Sequence, residues 1–174
     1  MNSSEINETG PSSEFDENLR MLREIYFFSG LPMEALKLFA YLCTRETYKP
    51  GERLMTQDDD DGQAFFIMAG QAVLIHRAGG TDQMLRNFEA GEFIGAMALL
   101  GQMRRLFSLQ AQSDMTCLLL TREKFAKVME QLPELMPKIV RLVVERVVHW
   151  EHGFLAAAPQ CFDDCLQRVG VSLI

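Results

Sequence analysis

The stretch GEFIGAMALLGQMRRLFSL, residues 91–109, decides the fold. Its middle part, FIGAMALLG, consists of small and apolar residues between two runs that are richer in strand-forming residues. Alanine, leucine and methionine favour helix, whereas aromatic and β-branched residues favour strand. The stretch therefore predicts a short helix inserted between two β-strands.

Around this stretch, from Tyr48 to about Leu120, short runs of β-forming residues alternate with turn residues. The runs are RLMTQ, AFFIMAG, QAVLIHR, QMLRNFE, LFSLQAQ and TCLLLT. Glycine, proline and aspartate separate them, as at Gly79-Gly80. Several short strands at this spacing indicate a sandwich or a barrel.

Helical patterns flank the β-region on both sides. Residues 19–46 predict two helices, separated by the helix-breaking sequence SGLP at residues 29–32. Thr121 can cap the next helix, and a long helix is expected over residues 134–154. The long helix is apolar almost all round, so it should be buried on two sides. One of those sides needs a partner, either the C-terminal tail or a second copy of the chain.

Composition indicates one domain between two tails. Of the 174 residues 48% are apolar, which is enough for one core, and we place that domain at residues 19–155. Residues 1–18 hold five acidic residues and no lysine or arginine, which predicts a disordered acidic tail. Residues 156–174 are expected to be a short C-terminal tail.

Charge and motif content exclude several functions. The net charge of −7 argues against direct nucleic-acid binding and against docking on an anionic membrane surface. No apolar run is long enough for a transmembrane helix, and the first residues lack the pattern of a secretory signal, so we expect a cytoplasmic protein. No nucleophile motif or nucleotide-hydrolase phosphate loop is present, which predicts a protein that is not an enzyme.

The order of helix pair, β-region with an embedded short helix, and long helix resembles the cyclic nucleotide-binding domain family. That family includes bacterial catabolite activator proteins and the regulatory subunits of cyclic nucleotide-dependent kinases. The segments that carry the resemblance are IYFFSGLPMEAL, YKPGERL, FFIMAGQAVL and GEFIGAMALLGQMRRLFSL. The resemblance implies a mainly β fold, a jelly-roll-like β-barrel with N-terminal helices and a long C-terminal helix. Family transcription factors carry a DNA-binding domain after that helix, and the 20 residues after Phe154 are too few for one.

The resemblance places a ligand site in the last of these segments, which matches the family's phosphate-binding cassette. Gly95 matches the glycine that lets the backbone approach the ligand, and Arg105 matches the arginine that forks onto a cyclic phosphate. Met97 and Ala98 match the short helix after the glycine. The implied ligand is a cyclic nucleotide or another phosphate-bearing molecule, and neither a metal nor a further cofactor is implied.

Three positions of the cassette depart from the family pattern. Ala96 stands where the family has a glutamate that accepts a hydrogen bond from the ribose 2′-hydroxyl, and losing that acceptor costs roughly 1.5–3 kcal/mol, or ten- to a hundredfold in affinity. Leu106 and Phe107 stand where the family has small or hydroxylated residues. Phe107 either stacks on a base or fills the empty pocket.

Arg105 itself has three possible roles. It binds an anion, lies on the surface beside Arg104, or pairs with an acidic neighbour inside the pocket. Arg104 becomes the anion ligand if the register shifts by one residue.

Three further clusters contain residues that bind ligands in other proteins. The run Asp58–Asp61 lacks the spacing of a calcium loop and is expected to be a solvated hairpin tip. His149 and His152 are expected at an exposed helix end. Cys161 and Cys165 share a helix face, so a metal or redox role stays open for them beside a purely structural one.

Two functions remain. The first is a non-catalytic sensor that binds a cyclic nucleotide or another phosphate-bearing ligand and signals to a protein partner. The second is a ligand-free barrel that serves as an interaction or dimerisation module through helix 134–154. The retained Arg105 favours the first, and Ala96, Leu106 and Phe107 favour the second.

Overall fold

The computed structural model describes residues 11–157, which divide into two units after Leu135. In the first unit, helices α1 and α2 precede eight strands, a short helix α3 lies between the sixth and seventh strands, and helix α4 follows the eighth. The second unit is described as one long helix, α5. The bounds are α1 Pro11–Glu24, α2 Met33–Leu42, β1 Thr44–Tyr48, β2 Arg53–Met55, β3 Gln63–Ala69, β4 Gln71–Ala78, β5 Thr81–Glu89, β6 Phe93–Ile94, α3 Ala96–Leu100, β7 Ser108–Ala111, β8 Met115–Thr121, α4 Arg122–Gln131 and α5 Met136–Ala157.

The strands form two antiparallel sheets of four strands each, in the orders β1-β8-β3-β6 and β2-β7-β4-β5. Both sheets contribute to one apolar core, because alternate side chains of a strand point to the same face. Its members include Phe65 and Ile67 from β3, Cys117 from β8 and Leu109 from β7. The predicted mainly β barrel with flanking helices is confirmed.

A tight turn sets the register of the β4–β5 hairpin. Ala78 pairs with Thr81, and the two glycines between them have φ values of 58° and 81°. A two-residue turn with positive φ at both positions matches the twist of paired strands, and glycine adopts it without steric cost. On its other side β4 pairs with β7, with Leu74 opposite Leu109, so the strand that follows the cassette is fixed against β4.

The N-terminal helix begins earlier than expected. Residues 1–18 were expected to be a disordered tail, but α1 starts at Pro11, and residues 1–10 lie outside the described part of the chain. The physical reason is a polar contact with the barrel. Asn18 is buried, its amide donates to the carbonyl of Ala40, and its oxygen accepts from Arg45 Nε at 3.0 Å and Nη2 at 2.8 Å. Glu17 pairs with the same arginine at 2.7 Å.

Helix α4 begins as predicted. The hydroxyl of Thr121 accepts a hydrogen bond from the backbone N–H of Lys124 at 3.3 Å, which satisfies one of the free donors at the helix start. The helix ends at Gln131, and a short 3-10 turn over Pro133–Leu135 follows it. The long helix therefore starts at Met136 rather than at residue 134.

Helix α5 carries an exposed apolar stripe. Its large side chains at four-residue spacing have exposed fractions between 41% and 54%; they are Met136, Val140, Val144 and Val148. Residues four apart lie on one face of a helix, so these side chains form one continuous strip. No helix among residues 11–157 is long and apolar enough to cross a membrane.

Candidate anion site

Gly95 stands at the start of α3, and its backbone explains why the position is glycine. Its φ is +90°, in the left-handed region that other residues rarely adopt. A Cβ atom there would lie 2.7 Å from the carbonyl oxygen of Gln63 and 3.0 Å from Nη1 of Arg105. The cassette backbone therefore lies directly against the guanidinium of Arg105.

Arg105 is buried, with only 5% of its surface exposed, and it is held by an acidic neighbour. Its Nε donates to the Asp61 carboxylate at 3.1 and 3.2 Å, and its Nη2 donates to the same carboxylate at 2.5 Å. Nη2 also donates to the backbone carbonyl of Gln63. Of the three roles predicted for Arg105, the structure shows the pair with an acidic residue.

The third nitrogen of this guanidinium has a different environment. The hydrogen bonds of Arg105 come from Nε and Nη2, whereas Nη1 faces Gly95. Within residues 11–157 no fully buried side-chain nitrogen or oxygen lacks a hydrogen-bond partner. Asp61 thus holds the edge of the guanidinium formed by Nε and Nη2, and Nη1 is the nitrogen that lies beside the cassette backbone.

The predicted residues of α3 have different environments. Ala96 is half-buried and its side chain has no hydrogen-bond acceptor, and Met97 is 50% exposed. Ala98 is fully buried, its N–H donates to the carbonyl of Gly95, and its carbonyl accepts from Arg122 Nε at 2.7 Å. The side chain and the amide of Ala98 are thus both used within the fold.

The two residues after the arginine are apolar and differ in exposure. Leu106 is 67% exposed, and the half-buried ring of Phe107 meets the ring of His76 edge-on, with centroids 5.7 Å apart. Arg104 is exposed while Arg105 is buried, so the alternative register with Arg104 in the pocket does not occur.

The acidic run was expected to be a solvated hairpin tip. Asp58, Asp59 and Asp60 are exposed, but the run joins β2 and β3, which lie in different sheets, and it folds onto the cassette. Asp58 N donates to the carbonyl of Arg105 and Arg105 N donates to the carbonyl of Asp59, both at 2.8 Å. The Asp60 carboxylate pairs with Arg122, and that of Asp61 pairs with Arg105. The loop is thus joined to the cassette by two backbone hydrogen bonds and one ion pair, and to α4 by a second ion pair.

Arg122, which sequence reasoning missed, joins three elements. It is the first residue of α4, and its backbone N–H donates to the carbonyl of Gly62 at 2.6 Å. Its guanidinium donates to the carbonyl of Ala98 in α3 and to the Asp60 carboxylate. The run of four aspartates was the available signal, because adjacent carboxylates favour a cation nearby.

Residues 11–157 were searched for clusters of metal ligands and for reactive cysteines. No three histidine, cysteine, aspartate or glutamate residues in that range lie close enough to hold a metal ion. Cys43 and Cys117 are free and buried, and burial raises the pKa of each thiol to about 12, which makes them poor nucleophiles. Cys161 and Cys165 lie outside the described residues.

A family model and several known proteins match this sequence, among them proteins that are named for cyclic nucleotides. The family model described as "Cyclic nucleotide-binding domain" matches residues 45–132. The Cyclic AMP receptor protein of Thermus thermophilus is 30% identical over 149 residues, which are 84% of this chain and 67% of that protein. Human cGMP-dependent protein kinase 2 is 28% identical over 125 residues, 69% of this chain but only 16% of the kinase.

Solved structures support the same fold. The N-terminal domain of a transcriptional regulator from Streptomyces coelicolor superimposes with a TM-score of 0.69 at 20% identity. The match covers 78% of this chain and 95% of that domain. At this identity the likeness establishes the fold and leaves the ligand open.

Proposed function

Because the chain belongs to the cyclic nucleotide-binding domain family, we propose that it is a non-catalytic regulatory domain that binds a phosphate-bearing anion at Arg105 and signals to a protein partner. The observation that carries this proposal is the position of Arg105 Nη1. It lies against Gly95, at the cassette, and makes none of the hydrogen bonds that hold the rest of the guanidinium.

Asp61 supports anion binding in one respect and opposes it in another. Its carboxylate fixes the guanidinium plane, so little side-chain entropy is lost when a phosphate oxygen accepts from Nη1. The same carboxylate carries a negative charge close to any bound anion, which weakens the attraction. We therefore infer a site that binds phosphate with moderate affinity rather than a strong trap for any anion.

Classical cyclic AMP is a poor fit for this site. Ala96 gives no acceptor for a ribose hydroxyl, and Leu106 and Phe107 occupy positions where a family member has small residues. A buried hydroxyl left without its charged acceptor loses roughly 1.5–3 kcal/mol, which is ten- to a hundredfold in affinity. The proposed ligand therefore shares the phosphate of a cyclic nucleotide but not its dependence on the ribose.

We propose that the signalling partner binds the apolar stripe of α5, which is formed by Met136, Val140, Val144 and Val148. A continuous exposed strip of this kind suits a second copy of the chain or an apolar face of another protein. The free thiols of Cys43 and Cys117 suit a reducing compartment, so we place the protein in the cytoplasm.

A second candidate function is a ligand-free interaction module. It is favoured by the ion pair between Arg105 and Asp61, which neutralises the buried guanidinium without a ligand. In that case the barrel would be a scaffold that presents the stripe of α5.

Thermal unfolding in the presence of candidate ligands separates the two functions. A ligand at a hundred times its dissociation constant adds about 2.7 kcal/mol to the stability, a shift that is easily measured. We expect a phosphate-bearing compound among cyclic AMP, cyclic GMP, cyclic dinucleotides and inorganic phosphate to raise the melting temperature. The shift should vanish in Arg105→Lys and persist in Arg104→Lys, the matched control. If no compound changes the melting temperature, the result would support the ligand-free module.

A further inference from the structure

A cavity of about 240 Å³ opens on the sheet formed by β2, β7, β4 and β5, and neither Gly95 nor Arg105 lines it. Its lining residues come from all four strands of that sheet and from the loop that follows β2. We propose that this cavity is a second binding site and that it takes a small zwitterion, a free α-amino acid with an apolar side chain. The inference goes beyond the proposed function, because the site is separate from the anion site and its ligand carries no net charge.

The cavity lies on the face of this sheet that points away from the apolar core. Leu74 and Leu109 are paired across β4 and β7, and both pack in the core. The adjacent residues Ile75 and Ser108 are also paired, and both line the cavity. Because side chains alternate along a strand, these two side chains point to the face opposite the core.

The charges around the cavity are balanced. Two arginines and two aspartates line it, and one pair is already formed, since Arg77 Nε and Nη2 donate to the Asp82 carboxylate at 2.6 and 2.9 Å. Arg53 and Asp58 are exposed, and within residues 11–157 neither side chain has a hydrogen bond or an ion pair. A simple anion would meet an aspartate and a simple cation would meet an arginine, whereas a zwitterion places an opposite charge beside each.

The positive charge of Arg53 acts within the cavity. Hydrogen bonding to Arg77 lowers the pKa of Asp82, and the charge of Arg53 lowers it further. Because the interaction between two charges weakens with distance, the Arg53 guanidinium lies near that pair, although it forms no ion pair with Asp82 itself. A guanidinium holds a carboxylate through two parallel N–H groups, so Arg53 is suited to the carboxylate of an amino acid.

Ser108 supplies a further donor on the cavity wall. It is only 5% exposed, and its hydroxyl oxygen accepts from the backbone N–H of Gln57 at 3.0 Å. A hydroxyl that accepts one hydrogen bond can still donate its own hydrogen. The wall thus combines this donor with the apolar side chain of Ile75 on the neighbouring strand.

The loop after β2 is held in place before any ligand arrives. Asp58 has a φ of 70° and is the one non-glycine residue with positive φ in the part of the chain that the structure describes. Such a backbone persists where its surroundings fix it, and Asp58 N donates to the carbonyl of Arg105 at 2.8 Å. The Gln57 side chain accepts from the N–H of Arg77 at 2.8 Å and donates to its carbonyl at 3.2 Å. A site built in advance loses little entropy on binding.

An α-amino acid matches these groups. Its carboxylate accepts from Arg53 and from the hydroxyl of Ser108, and its ammonium group donates to the carboxylate of Asp58. An aliphatic side chain covers Ile75 and is thereby removed from water. At 240 Å³ the cavity is smaller than the roughly 300–1,000 Å³ of sites for drug-sized ligands, which suits a molecule of this size.

The test uses the full chain and three probes of similar size, titrated by calorimetry at neutral pH and matched ionic strength. They are L-leucine, 4-methylpentanoate, which lacks the ammonium group, and 3-methylbutylamine, which lacks the carboxylate. We expect leucine to bind at least about tenfold more tightly than either of the others, since each of them loses one charge-assisted contact.

Two variants assign the contacts. Arg53→Gln should remove most of the advantage of leucine over the amine, and Asp58→Asn should remove most of its advantage over the carboxylate. Asparagine adopts positive φ readily, so Asp58→Asn keeps the loop conformation. Arg104→Gln and Asp59→Asn change exposed residues that do not line the cavity, and they should leave all three affinities unchanged.

Equal binding of the three probes would overturn the inference, and so would a preference for leucine that survives both Arg53→Gln and Asp58→Asn. Absence of leucine binding at millimolar concentration would overturn it as well. None of these results bears on the anion site, which is tested separately with phosphate compounds and Arg105→Lys.

Discussion

The carboxylate of Asp61 accepts hydrogen bonds from two nitrogens of Arg105, Nε at 3.1 Å and Nη2 at 2.5 Å, although 44 residues separate them in the chain. Arg105 is 5% exposed and the Asp61 side chain is 19% exposed, so the pair lies largely away from water. The arginine proposed to bind phosphate thus already donates two of its nitrogens to the protein's own carboxylate. Stability and ligand affinity should respond in opposite directions when Asp61 is changed.

Asp61→Asn should destabilise the fold. Removing one partner of a buried ion pair leaves an uncompensated charge, and the cost is about 3 kcal/mol. Urea unfolding measures it. Asp82→Asn breaks the exposed pair with Arg77 and serves as the control, with no resolvable change expected. Equal effects of the two variants would show that the Asp61 pair contributes no more than a surface pair.

The same Asp61→Asn variant should bind inorganic phosphate more tightly than the wild type. Its asparagine can still accept a hydrogen bond from Arg105, but the negative charge beside the bound anion is gone. Calorimetry at a temperature where the variant is fully folded measures the change, and we expect a gain of about tenfold. A weaker affinity would mean that Asp61 chiefly positions the guanidinium.

Ala96→Glu should restore affinity for cyclic AMP. The family's glutamate accepts a hydrogen bond from the ribose, and placing it at Ala96 should tighten binding by about ten- to a hundredfold. Ala96→Gln, which brings a neutral acceptor of similar size, should give a smaller gain. Calorimetry with cyclic AMP and 2′-deoxy cyclic AMP decides the matter, because only the former should benefit. No gain in either variant would indicate that Leu106 and Phe107 exclude the nucleotide.

Gly95→Ala should destabilise the cassette by at least about 2 kcal/mol, since the position needs positive φ and a Cβ would meet the Gln63 carbonyl at 2.7 Å. Gly91→Ala separates the two causes, because Gly91 also has positive φ but has open space around it. It should lose about 1–2 kcal/mol. Gly101 has extended backbone and open space, so Gly101→Ala is the neutral control. Chemical unfolding measures the free energy of unfolding of the three variants. Equal losses of stability in Gly95→Ala and Gly91→Ala would show that the contact with the Gln63 carbonyl contributes nothing.

Whether a structural feature can be predicted from the sequence depends on how far apart in the chain its interacting residues lie. The strand runs and the Thr121 cap could be predicted, because each is governed by neighbours a few residues away. Gly95 was identified through the family resemblance, since the groups that it approaches, Gln63 and Arg105, are distant in the chain. The pairing of Asp61 with Arg105 could not be predicted, since nothing local tells a surface run of aspartates from one that folds onto two arginines.

The start of α1 was missed for the same reason. Local composition predicted disorder, but a buried asparagine that bonds to Arg45, 27 residues away, holds the end of that segment on the barrel. The fold class, which depends on the pattern of many residues, tolerates such local errors. The prediction of a ligand site does not tolerate such errors, because the site depends on a few residue pairs.

Asp60 should contribute to acid sensitivity. Hydrogen bonding to the Arg122 guanidinium lowers the pKa of Asp60 from its ordinary value of 3.8. A carboxyl whose pKa is lower in the folded chain stabilises the fold above the unfolded pKa, and that contribution disappears as the pH falls through the folded pKa. The melting temperature of the wild type should therefore fall more steeply below about pH 4 than that of Asp60→Asn. Asp59→Asn is the matched control and should show the steep slope of the wild type. If the wild type and Asp60→Asn have equal slopes, the prediction is contradicted.

The apolar stripe of α5 should govern association. Val140→Asp with Val144→Asp places two charges in the middle of the strip, where desolvating them opposes any apolar contact. If two copies associate through this face, light scattering after size exclusion should show a dimer for the wild type and a monomer for the variant. Arg146→Asp, on the opposite side of the helix, is the control and should leave the mass unchanged. A wild-type monomer at high micromolar concentration would exclude a second copy and leave an apolar surface of another protein as the partner of the stripe.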